Sequence, residues 1–206
     1  MLLLFGCGTG PASEFPGHIP GMPGLGAHAL GFYHLADSSR SPSTASISTP
    51  ATTTQASGST IVVGVGRGDN QLFALPTDSM GNAPYQQLGQ MHPYIPAYPD
   101  SGTALYAFPS ASGGPGFQVT TSTGKNASGQ LDEITIAAVE VIEGTRIQDQ
   151  VWNEVTGPPL TSKSVTTTGP ATLIAFWWGD GFPRSPQTAV ANNGFVVVDS
   201  NAQQTD

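Results

Sequence analysis

Apolar and polar positions alternate along much of the chain with the two-residue period of β-strands. The longest apolar run with a β composition extends from Asp132 to Gly144. Within it, Thr135, Ala137, Val139 and Val141 share one face, and Ile134, Ile136 and Ala138 share the other. Only Glu140 interrupts the second face, so the pattern predicts a central strand covered on both sides. The β-branched residues favour this strand over a buried helix.

Shorter runs supply the partners of this strand. We predict strands over 44–49, 59–67, 103–109, 117–123, 172–178 and 194–199, a weak edge-like strand over 146–155, and a threonine-rich strand from residue 164. Runs 103–109 and 117–123 are expected to pair as a hairpin across their glycine-rich connection. Gly64 and Gly66 leave room for close approach of a neighbour. Residues 91–102, rich in Tyr and Pro, are expected to form the largest irregular loop and to carry binding residues.

Composition agrees with strands joined by turns. The 206 residues include 26 Gly and 18 Pro, and only 10% are charged, so little helix is expected. The predicted fold is all-β, an antiparallel β-sandwich of the Ig-like or jelly-roll-like kind over residues 44–206, with a disordered Gly/Pro-rich N-terminal tail. Residues 8–43 are predicted to be a linker, rich first in Gly and Pro and then in Ser and Thr.

The single cysteine, Cys7, directly follows the sequence Leu-Leu-Leu-Phe-Gly. This order resembles the cleavage site of bacterial lipoprotein signal peptides, which implies that residues 1–7 are the remnant of such a peptide and that Cys7 carries a lipid anchor. The apolar run is short and lacks a preceding basic residue, so a free thiol is the alternative. No segment has the ~20 apolar residues of a transmembrane helix.

Charge and motifs exclude several classes of function. Six basic residues against fourteen acidic ones give a net charge of −8, and the basic residues are scattered singly, so nucleic acid is not expected as a partner. One cysteine allows neither an internal disulfide nor a thiolate metal cluster. The chain has no Gly-x-Ser-x-Gly or His-Glu-x-x-His motif, and His92 lies beside a proline, so an enzyme is not expected.

A turn at 76–82 is the one candidate for a metal site. Asp78 and Asn82 can bond their own backbone while Gly81 takes a positive φ, which predicts an ordinary turn. The same two oxygen-bearing side chains are the alternative ligands for Ca²⁺, although that ion needs six to eight oxygens. No other cofactor is suggested.

Several motifs together resemble a repeated β-sandwich module of large bacterial extracellular proteins. They are TIVVGVGR, PTDSMGN, GTALYAF, FQVTTST, DEITIAAVEVIEG and SVTTTGPATLIAFWWGD, in that order. The resemblance implies a noncatalytic structural or adhesive module at a bacterial cell surface, with another surface protein as its partner. Such modules continue with further strands, which implies a domain that is truncated at its C-terminus.

Two other functions remain open. A carbohydrate-binding domain would stack sugar rings on Trp152, Trp178, Tyr94 and Tyr98, with Asp180 as a hydrogen-bond partner. Core packing is the alternative for each tryptophan. A hydrolase would use Glu140 with a second carboxylate from another strand.

Overall fold

The computed structural model of the protein describes residues 2–7, 26–35, 46–68, 74–96, 98–122, 134–142, 146–157, 159–169, 171–179, 190–192 and 195–200. Its strands are β1 (Leu2–Cys7), β2 (Gly26–Leu35), β3 (Ser46–Ser48), β4 (Ser57–Arg67), β5 (Thr77–Asp78), β6 (Gln86–Ile95), β7 (Tyr98–Ser112), β8 (Val119–Ser122), β9 (Ile134–Ile142), β10 (Thr172–Trp177) and β11 (Phe195–Ser200). The described residues contain no helix, and therefore none that could span a membrane. The all-β prediction is confirmed.

The strands form three sheets, in which every pairing is antiparallel. Sheet A has the order β10-β1-β11, sheet B the order β2-β9-β4-β7-β6, and sheet C the order β3-β8-β5. Sheet B is the largest of the three. It lies between the other two, since apolar residues on one of its faces pack against sheet C and those on the other face pack against sheet A. This arrangement is compatible with a β-sandwich.

The predicted central strand corresponds to β9, which is an interior strand of sheet B, although β4 occupies the middle position. Its neighbours β2 and β4 both pair with it along its length. Residues 134–141 are all buried, so both faces are covered as the sequence predicted. One face of the strand belongs to the core on the side of sheet C, and the other belongs to the core on the side of sheet A. The alternation of apolar residues along β9 therefore assigns each side chain to one of two cores.

The larger core lies between sheets B and C. Its buried members are Ile47, Ile61, Val63, Val65, Tyr85, Ala104, Tyr106, Ala111, Phe117, Val119, Ile134, Ile136 and Ala138. The smaller core lies between sheets B and A. It contains Val62, Ala107, Ala137, Val139 and Val141, against which Leu88, Ile174, Phe176 and Val198 pack.

Two glycines of β4 make the second core possible. A Cβ atom at Gly64 would come within 2.5 Å of the Phe176 ring, and one at Gly66 would overlap the Trp178 indole. Both rings come from β10 and the residue that follows it, so β10 lies close against the backbone of β4. The prediction that these glycines admit a close neighbour is confirmed.

Three local predictions are wrong. Residues 91–102 are not mainly an irregular loop, because most of them belong to β6 and β7, where His92 pairs with Thr103. Pro93 is accommodated because β6 is the edge strand of sheet B, and an edge strand can lack a ladder donor. The runs 103–109 and 117–123 do not form a hairpin, since β7 lies in sheet B and β8 in sheet C. Residues 146–157 and 159–169 contain no strand.

Strands β1 and β2 lie within the range that the sequence assigned to a signal-peptide remnant and a linker. Strand β1 pairs with both β10 and β11, and β2 pairs with β9. The lipid anchor on Cys7 stays a prediction, and so does the boundary of the domain at residue 44.

Candidate functional site

A cleft of about 580 Å³ lies on the face of sheet B that is turned toward sheet A. Its floor is apolar and includes Val62, Leu88, Leu105 and Val141 from four strands of sheet B. Strand β10 forms one wall. The other wall is a pair of segments, residues 146–157 and 159–169, which we call the outer ribbon.

The two arms of the outer ribbon are joined by side chains rather than by a ladder. Thr166 N donates to Asp149 Oδ2 at 2.8 Å, Thr168 N donates to Gln148 Oε1 at 2.7 Å, and Asn153 Nδ2 donates to Thr161 O at 2.6 Å. The partner numbers fall along one arm as they rise along the other, so the arms run antiparallel. Because the side chains take backbone groups that a ladder would use, the predicted strands over 146–155 and from 164 do not form.

The outer ribbon contacts edge strand β6 through a stacked pair of rings. The His92 and Trp152 rings lie 4.2 Å apart, centroid to centroid, with only 8° between their planes. Gln150 packs on Gly89 of the same strand, where a Cβ atom would come within 2.7 Å of the Gln150 amide nitrogen. Gly89 has a φ of +71°, a conformation that favours glycine. The residue lies where the register between β6 and β7 shifts. These contacts hold the outer ribbon against the edge strand of sheet B.

Trp178 has a different environment from Trp152. Its indole lies on Gly66 and meets the Tyr94 ring edge to face, with centroids 5.9 Å apart and a 78° angle between planes. Both tryptophans are half-buried and both line the cleft. Trp178 thus contributes to packing between β4 and β10, while Trp152 belongs to the outer ribbon.

The predicted carbohydrate-binding residues are therefore brought together in part. Trp152 and Trp178 line one cleft, and Tyr94 contacts the second of them. Asp180 and the side chain of Tyr98 lie outside the described residues. Sequence analysis missed His92 and the glutamines of the outer ribbon, because residues 92 and 152 are far apart in the chain and no motif links them.

Burial lowers the pKa of the His92 imidazole below its ordinary value, so the ring stacked on Trp152 is neutral at pH 7. A neutral imidazole has one N–H donor and one nitrogen acceptor. The His92 ring therefore places one hydrogen-bond donor and one acceptor beside the Trp152 indole in the cleft. Gln90, Gln150 and Asn153 add amide groups to the same lining.

Asp78 and Asn82 lie in the predicted turn, and Gly81 has a φ of +78°. Oδ1 of Asp78 accepts hydrogen bonds from the backbone nitrogens of Met80 and Asn82, both at 3.0 Å. Oδ2 accepts from Asn82 Nδ2 at 2.8 Å and from the Tyr85 hydroxyl at 2.7 Å. The carboxylate thus holds the turn together, as the ordinary-turn prediction required. The Ca²⁺ site stays a prediction.

Asn82 connects this turn to strand β7. Its Nδ2 donates to Ser112 O at 2.8 Å, and its Oδ1 accepts from Ser112 N at 2.9 Å. Tyr85 is 1% exposed, and burial together with its bond to Asp78 raises the pKa of its hydroxyl. Among the described residues, no group of three or more His, Cys, Asp or Glu side chains is arranged to hold a metal.

Glu140 lies on the opposite face of sheet B from the cleft. It is fully buried, and its Oε1 accepts hydrogen bonds from Ser59 Oγ at 2.6 Å and from Gln55 N at 2.9 Å. These contacts join β9 to the start of β4. Because no solvent reaches the carboxyl group, the geometry gives the hydrolase hypothesis no support at Glu140.

Comparison of the chain with protein-family models, curated proteins and solved structures finds no match. The chemistry of the cleft therefore provides the evidence on function. That chemistry combines aromatic rings, amide groups and an apolar floor. Such a lining can hold a ligand that has both an apolar face and many hydroxyl groups.

Proposed function

We propose that this chain is a noncatalytic binding domain whose cleft takes a carbohydrate chain. The observation that carries the proposal is the Trp152–His92 stack in a cleft that also contains the amides of Gln90, Gln150 and Asn153. Sugar rings offer an apolar face to an aromatic ring and hydroxyl groups to amides. A volume of about 580 Å³ is within the usual range of small-ligand sites.

The subtype of the fold and the location of the protein are also proposals. We propose an Ig-like or jelly-roll-like β-sandwich that functions at a bacterial cell surface or outside the cell. The order of strand motifs from TIVVGVGR to AFWWGD supports the resemblance to extracellular modules. Adhesion to a polysaccharide would fit both a surface location and a cleft lined by aromatic rings and amide groups.

Tryptophan fluorescence titrated with soluble polysaccharides tests the binding. We expect a saturable change in emission for at least one polymer, because Trp152 is half-buried and lines the cleft. Trp152→Ala should lose binding, and Trp152→Phe should retain part of it because a ring remains. Calorimetry on the same variants checks the affinity independently.

The matched control is Leu160→Ala, which truncates an exposed residue of the outer ribbon that does not line the cleft. It should bind like the unmodified protein. If no polysaccharide across neutral and charged classes changes the fluorescence or releases heat, the carbohydrate proposal is wrong. Equal binding by Trp152→Ala would show that the cleft is not the site.

A further inference from the structure

We infer that the carbohydrate bound in the cleft is anionic, with carboxylate or sulfate groups that contact Arg146 and Lys163. This inference rests on the proposed function and names the class of ligand. It depends on how the few positive charges of the chain are distributed. Because the net charge of the chain is −8, binding of an anion requires a local concentration of positive charge.

The positive charges of the described residues are concentrated at the cleft. These residues include three Lys or Arg side chains, Arg67, Arg146 and Lys163. Arg67 is 1% exposed, and its guanidinium donates to Thr121 Oγ1 and to Ser122 O between sheets B and C. Arg146 and Lys163 are exposed, and both line the cleft. Within the described part of the chain, every exposed cation therefore lines this one site.

Asp149, whose carboxylate belongs to the lining of the cleft, is already engaged. Asp149 also lines the cleft, but Oδ1 accepts from Gln150 N and Oδ2 accepts from Thr166 N, each at 2.8 Å. No ion pair or hydrogen bond joins Arg146 or Lys163 to another described residue. Their donors are thus available to an oxyanion, and Asp149 has an alternative set of partners.

The two cations lie at separate places along the outer ribbon. Asn153 bonds Thr161 across the ribbon, so Lys163, two residues further on, lies across from the stretch that contains Trp152. Arg146 is six positions before Trp152 in the first arm, which is at most ~20 Å of chain. A polymer that repeats its anionic groups can contact both positions. The glutamines between them can bond its hydroxyls.

Guanidinium and ammonium groups differ in how they bind an oxyanion. Arginine can donate two parallel hydrogen bonds to a carboxylate or a sulfate, whereas lysine acts as a compact point charge. Both groups are exposed, so their attraction to an anion is screened by salt. The inference therefore predicts affinity that falls with ionic strength but still requires the aromatic stack.

Two matched pairs of polymers test the charge requirement by calorimetry. Polygalacturonate is compared with its fully methyl-esterified form, and dextran sulfate is compared with dextran. We expect each anionic polymer that fits the cleft to bind at least about tenfold more tightly than its neutral partner, which corresponds to one charge-assisted contact. Binding confined to one pair identifies the oxyanion as carboxylate or sulfate.

Substitutions in the cleft show which residues cause the preference for an anionic polymer. Arg146→Gln with Lys163→Gln should weaken the anionic polymer about tenfold or more, and Arg146→Lys with Lys163→Arg should restore most of the affinity because the charges remain. Circular dichroism and thermal melting verify that each variant folds. Trp152→Ala should weaken binding even at low salt, which nonspecific attraction of a polyanion would not require.

The outcomes separate this inference from the proposal on which it rests. Equal affinity for the charged and neutral members of both pairs, unchanged by the double glutamine variant, overturns the anionic ligand and leaves carbohydrate binding standing. Binding of polyanions that is insensitive to Trp152→Ala overturns the cleft as their site. Absence of binding to all four polymers and to a broader neutral set overturns both proposals.

Discussion

Trp178 lies directly on Gly66, so that a side chain at residue 66 would occupy the space of the indole. The same relationship recurs two residues earlier, where the Phe176 ring covers Gly64. Residues 176 and 178 have the same spacing as the two glycines, so the segment that contains the two rings is aligned with β4. Two missing side chains in β4 thereby set the position of β10 against sheet B and the width of the cleft.

Gly66→Ala should destabilise the protein by about 1–3 kcal/mol, because an added methyl group must displace a large ring in a packed layer. Urea unfolding followed by circular dichroism measures the loss. Gly169→Ala is the control, since no atom lies within 4 Å of its Cβ position. It should change stability by less than about 0.5 kcal/mol.

A second variant shows whether the indole causes the loss. Adding Trp178→Ala to Gly66→Ala should destabilise by less than the sum of the single variants, because the ring that the methyl group strikes is gone. Strict additivity would mean that the two residues do not interact in solution. The relationship between β4 and β10 would then need another explanation.

Asp78→Ala should cost about 3 kcal/mol or more, because it removes the acceptor of the buried Tyr85 hydroxyl, one of the two acceptors of the Asn82 amide and the acceptor of two backbone N–H groups. Tyr85→Phe removes one donor only and should cost about 1 kcal/mol. Asp149→Ala is the comparison, since that carboxylate also accepts two backbone hydrogen bonds but is exposed. A larger loss for Asp149→Ala than for Asp78→Ala would contradict the structural role of the turn.

Chelation should leave the melting temperature unchanged. The four hydrogen bonds to the Asp78 carboxylate use both of its oxygens, so the turn is held without an ion. Melting curves in EDTA and in excess Ca²⁺ test this expectation. Stabilisation by Ca²⁺ that disappears in Asp78→Asn would instead establish the site predicted from the sequence.

Alkaline pH should destabilise the protein in part through Tyr85. Burial and the bond to Asp78 raise the folded-state pKa of this hydroxyl above the unfolded value of about 10. The native state then holds the proton more tightly, so this contribution is intact below about pH 10 and is lost as the pH rises further. Between about pH 9 and pH 11, Tyr85→Phe should therefore lose less stability than the unmodified protein.

The comparison with Tyr85→Phe also removes the opposing effect of Arg67. Burial lowers the pKa of that guanidinium to about 10, and deprotonation there would favour the native state as the pH rises. Both proteins contain Arg67, so its effect cancels in the difference between their unfolding curves. Identical slopes of stability against pH in the two proteins would exclude the Tyr85 contribution.

The sequence predicted what depends on local alternation. Strand β9 lies within the predicted range, its two faces are those expected, and Gly64 and Gly66 admit a neighbour as predicted. Strand β3 lies within the predicted range 44–49. In each case the side-chain period or the absence of a side chain decides the structure.

Long-range pairing could not be predicted in this way. The segment between β7 and β8 carries the chain from sheet B to sheet C, yet its glycines would equally suit a hairpin. The prolines in 91–102 indicated a loop, because proline is tolerated within a sheet only at special positions such as an edge strand. That β6 is an edge strand could not be deduced from its own sequence. The His92–Trp152 stack joins residues whose proximity depends on the path of the outer ribbon. The contact between β6 and the outer ribbon could therefore not be predicted from local patterns.

The hydrogen bonds of Gln148, Asp149 and Asn153 have a consequence for how binding could diversify. In a wall built on a β-ladder, backbone hydrogen bonds join the strands whatever the side chains are. Here the arms are joined by individual side chains, so substituting one of them can alter the wall while sheet B remains intact. Selection for a new ligand can therefore act on the outer ribbon largely independently of selection for folding.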